Sequence, residues 1–147
     1  MMGFAYRGMK GEKMIDHKVE YINPAKLFTS KAFSQMVTVT GPHKTIYIGG
    51  QNAVDKDGNL IGIGDLGLQT KQVLINIGIA LEAVNATYKN IVKWNIYMAA
   101  GSDPATGYKA FQETVRQLEN PPAITVLQVA GLGNPNYLVE IEAIAIK

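Results

Sequence analysis

The last eleven residues, Tyr137-Leu-Val-Glu-Ile-Glu-Ala-Ile-Ala-Ile-Lys147, constrain the fold more than any other stretch. Side chains along a strand alternate between its two faces. Tyr137, Val139, Ile141, Ala143 and Ala145 therefore share one face, and that face is wholly apolar. Leu138, Glu140, Glu142, Ile144 and Ile146 share the other. The first face must meet a core. The second sets two carboxylates inside a hydrophobic stripe, and packing alone gives no reason for them. Glu140 is the first candidate for chemistry; plain exposure of both acids to solvent is the alternative.

Upstream, Ala123 to Val129 forms another β-branched run, joined to the last strand across Gly131-Leu-Gly-Asn-Pro-Asn136, a connection too long for a two-residue turn. Residues 36–49 read as a hairpin bracketing Gly41-Pro42-His43-Lys44, with Val19 to Ile22 as a brief earlier strand. Gly49 and Gly50 at a strand end allow close approach of a ligand or neighbouring chain, or mark a bulge. From Asp65 to Val84, Leu66, Val73, Leu74, Ile77, Ala80, Leu81 and Val84 keep a helical period behind an Asp65 cap. Ile75 and Ile79 fall off that face. Residues 89–98 alternate as a strand. A second helix opens at Asp103-Pro104, with Tyr108, Phe111, Val115 and Leu118 on its apolar side. Two one-sided helices should cover one face of a single sheet and leave its other face for further subunits.

Composition narrows the function. The 147 residues make one domain, with residues 1–18 expected as a flexible extension and 19–147 as its body; Met14 is a candidate start. There is no cysteine, which excludes thiolate nucleophiles and Cys-ligated metals. The net charge of +2, with signs interspersed, argues against a nucleic-acid surface. No run is long enough to span a membrane and no secretory block opens the chain, so a soluble cytoplasmic protein is expected. Gly62-Ile-Gly-Asp-Leu-Gly67 matches a dinucleotide fingerprint in spelling, but Asp65 would stand where the pyrophosphate belongs. Asp55 to Asn59 resembles part of a calcium loop that lacks its glycine and its final acid. His17 and His43 form neither a metal cluster nor a triad.

The chain resembles the Rid (reactive intermediate deaminase, or YjgF) family from Val19 to Ile146. Phe33-Ser34-Gln35, Ile48-Gly49-Gly50-Gln51, Asp55 to Leu60, Gln69-Thr70, Asn76, Leu81-Glu82-Ala83, Val92-Lys93 and Val139 to Ala145 carry the likeness, in the family's order. The resemblance implies an α+β, chorismate-mutase-like fold, with a single mixed sheet, two helices on one face, and a homotrimer whose sheets face inward. It implies ligand pockets between subunits near Phe33, Gly49, Gly50, Gln51, Ala105, Ile124 and Val126. It implies hydrolysis of enamines and imines such as 2-aminoacrylate without metal or cofactor, with Glu140 positioning water. The family's substrate-gripping Arg falls at Ile124, which cannot bind a carboxylate; Gly49 and Phe33 also replace a Ser and a Tyr. The expected protein is therefore a trimer that binds a small metabolite, with deamination weakened. Lys31 or Lys93 could supply a cation, whereas Arg7 and Arg116 are not obvious substitutes. The endoribonuclease activity sometimes attached to the family fits poorly with the charge and the two isolated histidines.

Overall fold

A computed structural model describes residues 16–116 and 118–147. Residues 1–15, most of the expected extension, lie outside the described residues, and the first strand begins at Lys18. The elements are β1 (Lys18–Ile22), β2 (Met36–Thr40), β3 (Thr45–Gln51), α1 (Leu66–Glu82), β4 (Ile91–Ala99), α2 (Pro104–Val115), β5 (Ala123–Val129) and β6 (Val139–Ile146). A short 3-10 turn, Tyr88–Asn90, leads into β4.

The four-stranded sheet runs β3-β6-β4-β5. β6 is antiparallel to both β3 and β4, and β4 is parallel to β5. This makes two crossovers, β3-α1-β4 and β4-α2-β5. Both step in the same direction across the sheet, and crossovers share one hand, so both helices land on the same face. The inward side of β6 meets them as its alternation requires: Val139, Ile141, Ala143 and Ala145 are almost wholly buried. Burying this stripe with Val73, Leu74, Ile77 and Leu81 of α1 forms the core. Each buried Val, Ile or Leu among them contributes about 1.5–3 kcal/mol. Trp94 on β4 meets Phe111 on α2 edge-to-face, with ring centroids 5.2 Å apart. At Gly107 the two helices and β4 crowd together: a Cβ there would stand 3.6 Å from both Leu66 Cδ2 and Met98 Sδ.

Three features differ from the sequence reading. β2 does not pair with β3; it pairs with β1 as a separate two-stranded sheet, and β3 pairs with β6. The turn at Gly41 (φ 91°) is real, but the all-apolar inward face of β6 offers Ile46 and Ile48 partners in Ala145 and Ala143 that β2 cannot. α2 ends at Val115, so Leu118 lies beyond the helix even though its spacing continues the period. Ile146, assigned to the uncovered face, is buried (5% exposed). Among the described residues no helix is long and apolar enough to cross a membrane.

Candidate functional site

The uncovered sheet face carries an ordered polar cluster. Gly49 and Gly50 form a bulge, since Ile48 pairs with Ala143 while Gln51 pairs with Ile141. The bulge lays the Gly50 backbone across the Glu140 side chain. A Cβ on Gly50 would collide with the Glu140 carboxylate, so only glycine permits this approach. Gly49 itself faces open space, and the Gln51 amide donates to its carbonyl (3.1 Å).

Asn52 Nδ2 donates to Glu140 Oε2 (3.2 Å), and α1 in turn holds the Asn52 segment. Asn76 Nδ2 donates to the carbonyls of Asn52 (3.1 Å) and Val54 (2.9 Å), and Gln72 donates to Asn76 Oδ1 (2.9 Å). Glu142, two residues on, accepts from Asn95 Nδ2 (3.0 Å) and the Tyr97 hydroxyl (2.8 Å). Tyr97 pairs directly across from Glu140. Its hydroxyl pKa is raised, first by the hydrogen bond to Glu142, then by burial and the two carboxylate charges. Lys93, on the same face, donates to Thr125 Oγ1 (2.6 Å). Glu140 keeps most of its lone pairs free for water or a ligand.

The other predicted site residues lie on the opposite side of the sheet. Ile124 pairs with the buried Trp94, and Val126 with Ile96, so both project toward the helices. There they line a cavity of about 630 Å³ between α2, the sheet and residues 30–34. Phe33 lines it too, because Ser34 ties its loop to β5's approach: Ser34 Oγ donates to Pro121 O (2.6 Å) and Ser34 N to Pro122 O (3.0 Å). Ala105 is exposed on the first turn of α2, where its N–H caps onto Asp103 (3.1 Å), and does not line the cavity; Pro104 and Tyr108 on either side do. Within one chain, Glu140 with Gly49, Gly50 and Gln51 thus forms one group, and Phe33, Ile124 and Val126 another.

Asn52, Asn95 and Tyr97 were not singled out from sequence. Asn95 and Tyr97 had the signal, because they alternate onto the polar side of β4; Asn52 had none. Arg116 and Lys31 both line the cavity, a placement that strand parity could not show. The two discounted motifs behave as ordinary turns. Asp65 caps α1 by accepting from Leu68 N (2.9 Å), filling the place a phosphate would need. Asp55 accepts from the N–H groups of Asp57 and Asn59 (both 2.9 Å), and the bonds from Asn59 lead the lowering of its pKa. Among the described residues no three His, Asp or Glu side chains converge as metal ligands would.

Comparison with known proteins decides the family. The sequence profile described as Endoribonuclease L-PSP, that of the YjgF/Rid proteins, matches residues 24–147. The chain belongs to the Rid family. It is 33% identical over 115 residues to the human 2-iminobutanoate/2-iminopropanoate deaminase, covering 78% of this chain and 80% of that one. A RutC family protein of Pyrococcus abyssi is 32% identical over 127 residues, covering 82% and 95%. Among solved structures, a Yersinia pestis protein of the conserved Rid family, described as of unknown function, superposes with a TM-score of 0.78. It is 31% identical, with 88% of this chain and 98% of that one covered. That solved structure shares the α+β architecture described above.

Proposed function

We propose that this Rid-family chain works as a homotrimer that binds a small metabolite in clefts between subunits, and that it hydrolyses amino-acid-derived imines poorly. The observation that carries the reading is Ile124, a side chain with no donor at the position where the family resemblance expects the arginine. A carboxylate brought into such a cleft without a charge-assisted partner is strongly disfavoured. Losing a bidentate contact costs roughly 2–5 kcal/mol, or about thirty- to several-thousand-fold in affinity. The uncovered sheet face supports assembly. It exposes Tyr47 (78%) and Leu127 (49%) beside half-buried Leu138 and Ile144, an apolar rim around a polar centre. Because Glu140 and Ile124 face opposite sides of one sheet, a single cleft using both needs a neighbouring subunit.

A second reading, a 2-iminopropanoate-type deaminase, is favoured by one observation. Glu140 is retained and held by Asn52 with lone pairs free, in a chain one-third identical to a named deaminase. In that chemistry, water positioned by Glu140 adds to the C=N carbon, and the adduct collapses to the keto acid and ammonia. The ribonuclease in the family description finds little support: net charge is +2, and His43 bonds its own turn through Gly41 O (2.8 Å).

One assay separates these readings. Ammonia release from freshly generated 2-iminopropanoate is measured for the unmodified protein, Glu140→Gln and Ile124→Arg, with labelled RNA incubated in parallel. The expected results are slow release by the unmodified protein, faster release by Ile124→Arg, and intact RNA. Efficient release by the unmodified protein, lost in Glu140→Gln, would overturn the leading reading in favour of the second.

A further inference from the structure

The outer line of α1 is apolar where a surface helix is ordinarily polar. Val73, Leu74, Ile77 and Leu81 face the core. On the opposite side of the helix stand Leu68 (51% exposed), Ile75 (49%) and Ile79 (61%), in one row. Ile75 and Ile79 are the side chains that fall off the core period. Three large apolar side chains in a row on an outer helix mark a contact surface. The row points away from the sheet, so it does not compete with the uncovered sheet face for the same partner.

The residues beside the row set what it fits. Lys71, Ile75, Gly78 and Glu82 are spaced 4, 3 and 4, which makes one straight stripe along α1. That spacing is the same in both directions. Turned end for end, the stripe runs Glu82, Gly78, Ile75, Lys71. An antiparallel second copy therefore sets Lys71 against Glu82 of that copy and Ile75 against its Gly78, each twice.

The charges and the surface shape suit this arrangement. Lys71 is exposed and also reaches Glu113 on α2 (2.9 Å), but Lys109 acts on the same carboxylate, so this end of the stripe stays net positive. Glu82 is exposed at the other end, about 16 Å along the helix. Among the described residues it forms no ion pair. Gly78 keeps the middle flat: the Tyr88 hydroxyl lies 2.7 Å from where a Cβ would be, and it donates to Leu74 O (2.6 Å). An incoming Ile75 thus meets glycine backbone and the edge of Tyr88 instead of a ridge. Leu68 and Ile79 border the stripe on one flank, and a two-fold axis brings the two flanks side by side.

We propose that the outer face of α1 is a self-association surface on which a second copy of this chain docks antiparallel about a two-fold axis. Lys71 pairs with Glu82 across the axis, and Ile75 packs on Gly78. The contact joins assemblies back to back through their helices, beyond any contact made by the sheets. One half-exposed stripe makes a small, transient interface. Pairing therefore belongs to concentrations well above the micromolar range, and the mass at micromolar concentration is that of the smaller unit.

Sedimentation of the full chain from about 5 µM to about 1 mM tests this. The weight-average mass is expected to rise from its micromolar value toward twice that value, whatever unit the micromolar value represents. Lys71→Glu and Glu82→Lys each set like charges opposite one another, so each alone should hold its micromolar mass throughout. Mixed in equal amounts, the two variants regain both ion pairs, and the rise should return. Ile75→Lys should also hold the micromolar mass. An unchanged Tm at micromolar concentration shows that a variant is folded; if Lys71→Glu melts lower, Ile75→Lys decides. Constant mass for the unmodified chain would overturn the proposal and assign the stripe to a different protein. A rise undiminished in Ile75→Lys, or no recovery in the mixture of folded charge variants, would overturn it as well. Ammonia release plays no part in this readout, so the functional reading stands or falls separately.

Discussion

At the scale of single residues, Gly50 and Glu140 act as a unit. The carboxylate occupies the space a Cβ would take, yet it is the far end of a flexible chain and can swing away. Gly50→Ala should therefore cost the fold little, lowering Tm by less than about 2 °C. It should nevertheless break the Asn52–Glu140 bond and abolish any dependence of activity on Glu140. A melting curve and the ammonia assay together check this; a large fall in Tm would show the bulge to be structural. Tyr97 gives a pH signature. Its folded pKa lies above the unfolded value near 10, chiefly through the bond to Glu142. The stability this contributes is fully present below the unfolded pKa and is lost as pH rises through the folded pKa. Tyr97→Phe should flatten the decline in Tm above about pH 10, whereas an unchanged decline would show that other groups cause it.

Between elements, one buried side chain joins more than any other. Gln69 on α1 is fully buried, donates to Gly62 O (3.1 Å) and Asn136 O (2.9 Å), and accepts from Leu138 N (2.8 Å). It binds the turn before α1 to the connection before β6. Replacing it by leucine strands these backbone groups, and each buried unsatisfied group costs about 1–3 kcal/mol. Gln69→Leu should lower Tm by at least roughly 3 °C in thermal denaturation; no change would mean water replaces the amide freely. α1 was readable from its period because Leu66 to Leu81 face one continuous core. The partner of β2 was not readable. Gly41-Pro42 signals a turn locally, but strand pairing is settled by β6, about a hundred residues later in the chain. Leu118 misled for a related reason: periodicity cannot show where a backbone reverses, and Arg116 does so at positive φ. At the site, the two faces of β6 were legible from parity alone. Asn52 and the cavity-lining Arg116 were not, because loop and helix-end positions follow no period.

At the scale of the whole molecule, the clefts depend on what closes the uncovered sheet face. In one chain, the polar cluster of Glu140, Glu142, Asn95 and Tyr97 lies open beside exposed Tyr47 and Leu127. A rim of this kind around an ordered polar centre fits burial against further copies, with the clefts between them shielded from bulk water. Ile144 lies in the same cross-strand row as Tyr47 and Lys93, within the surface to be covered. An aspartate there would bring an unpaired charge into the interface at a cost of several kcal/mol. The most direct measurement is the mass in solution at micromolar concentration by light scattering, for the unmodified chain and Ile144→Asp. The expected mass is three times 16.0 kDa for the first and that of a single chain for the second. A clean 16.0 kDa monomer for the unmodified protein would contradict it.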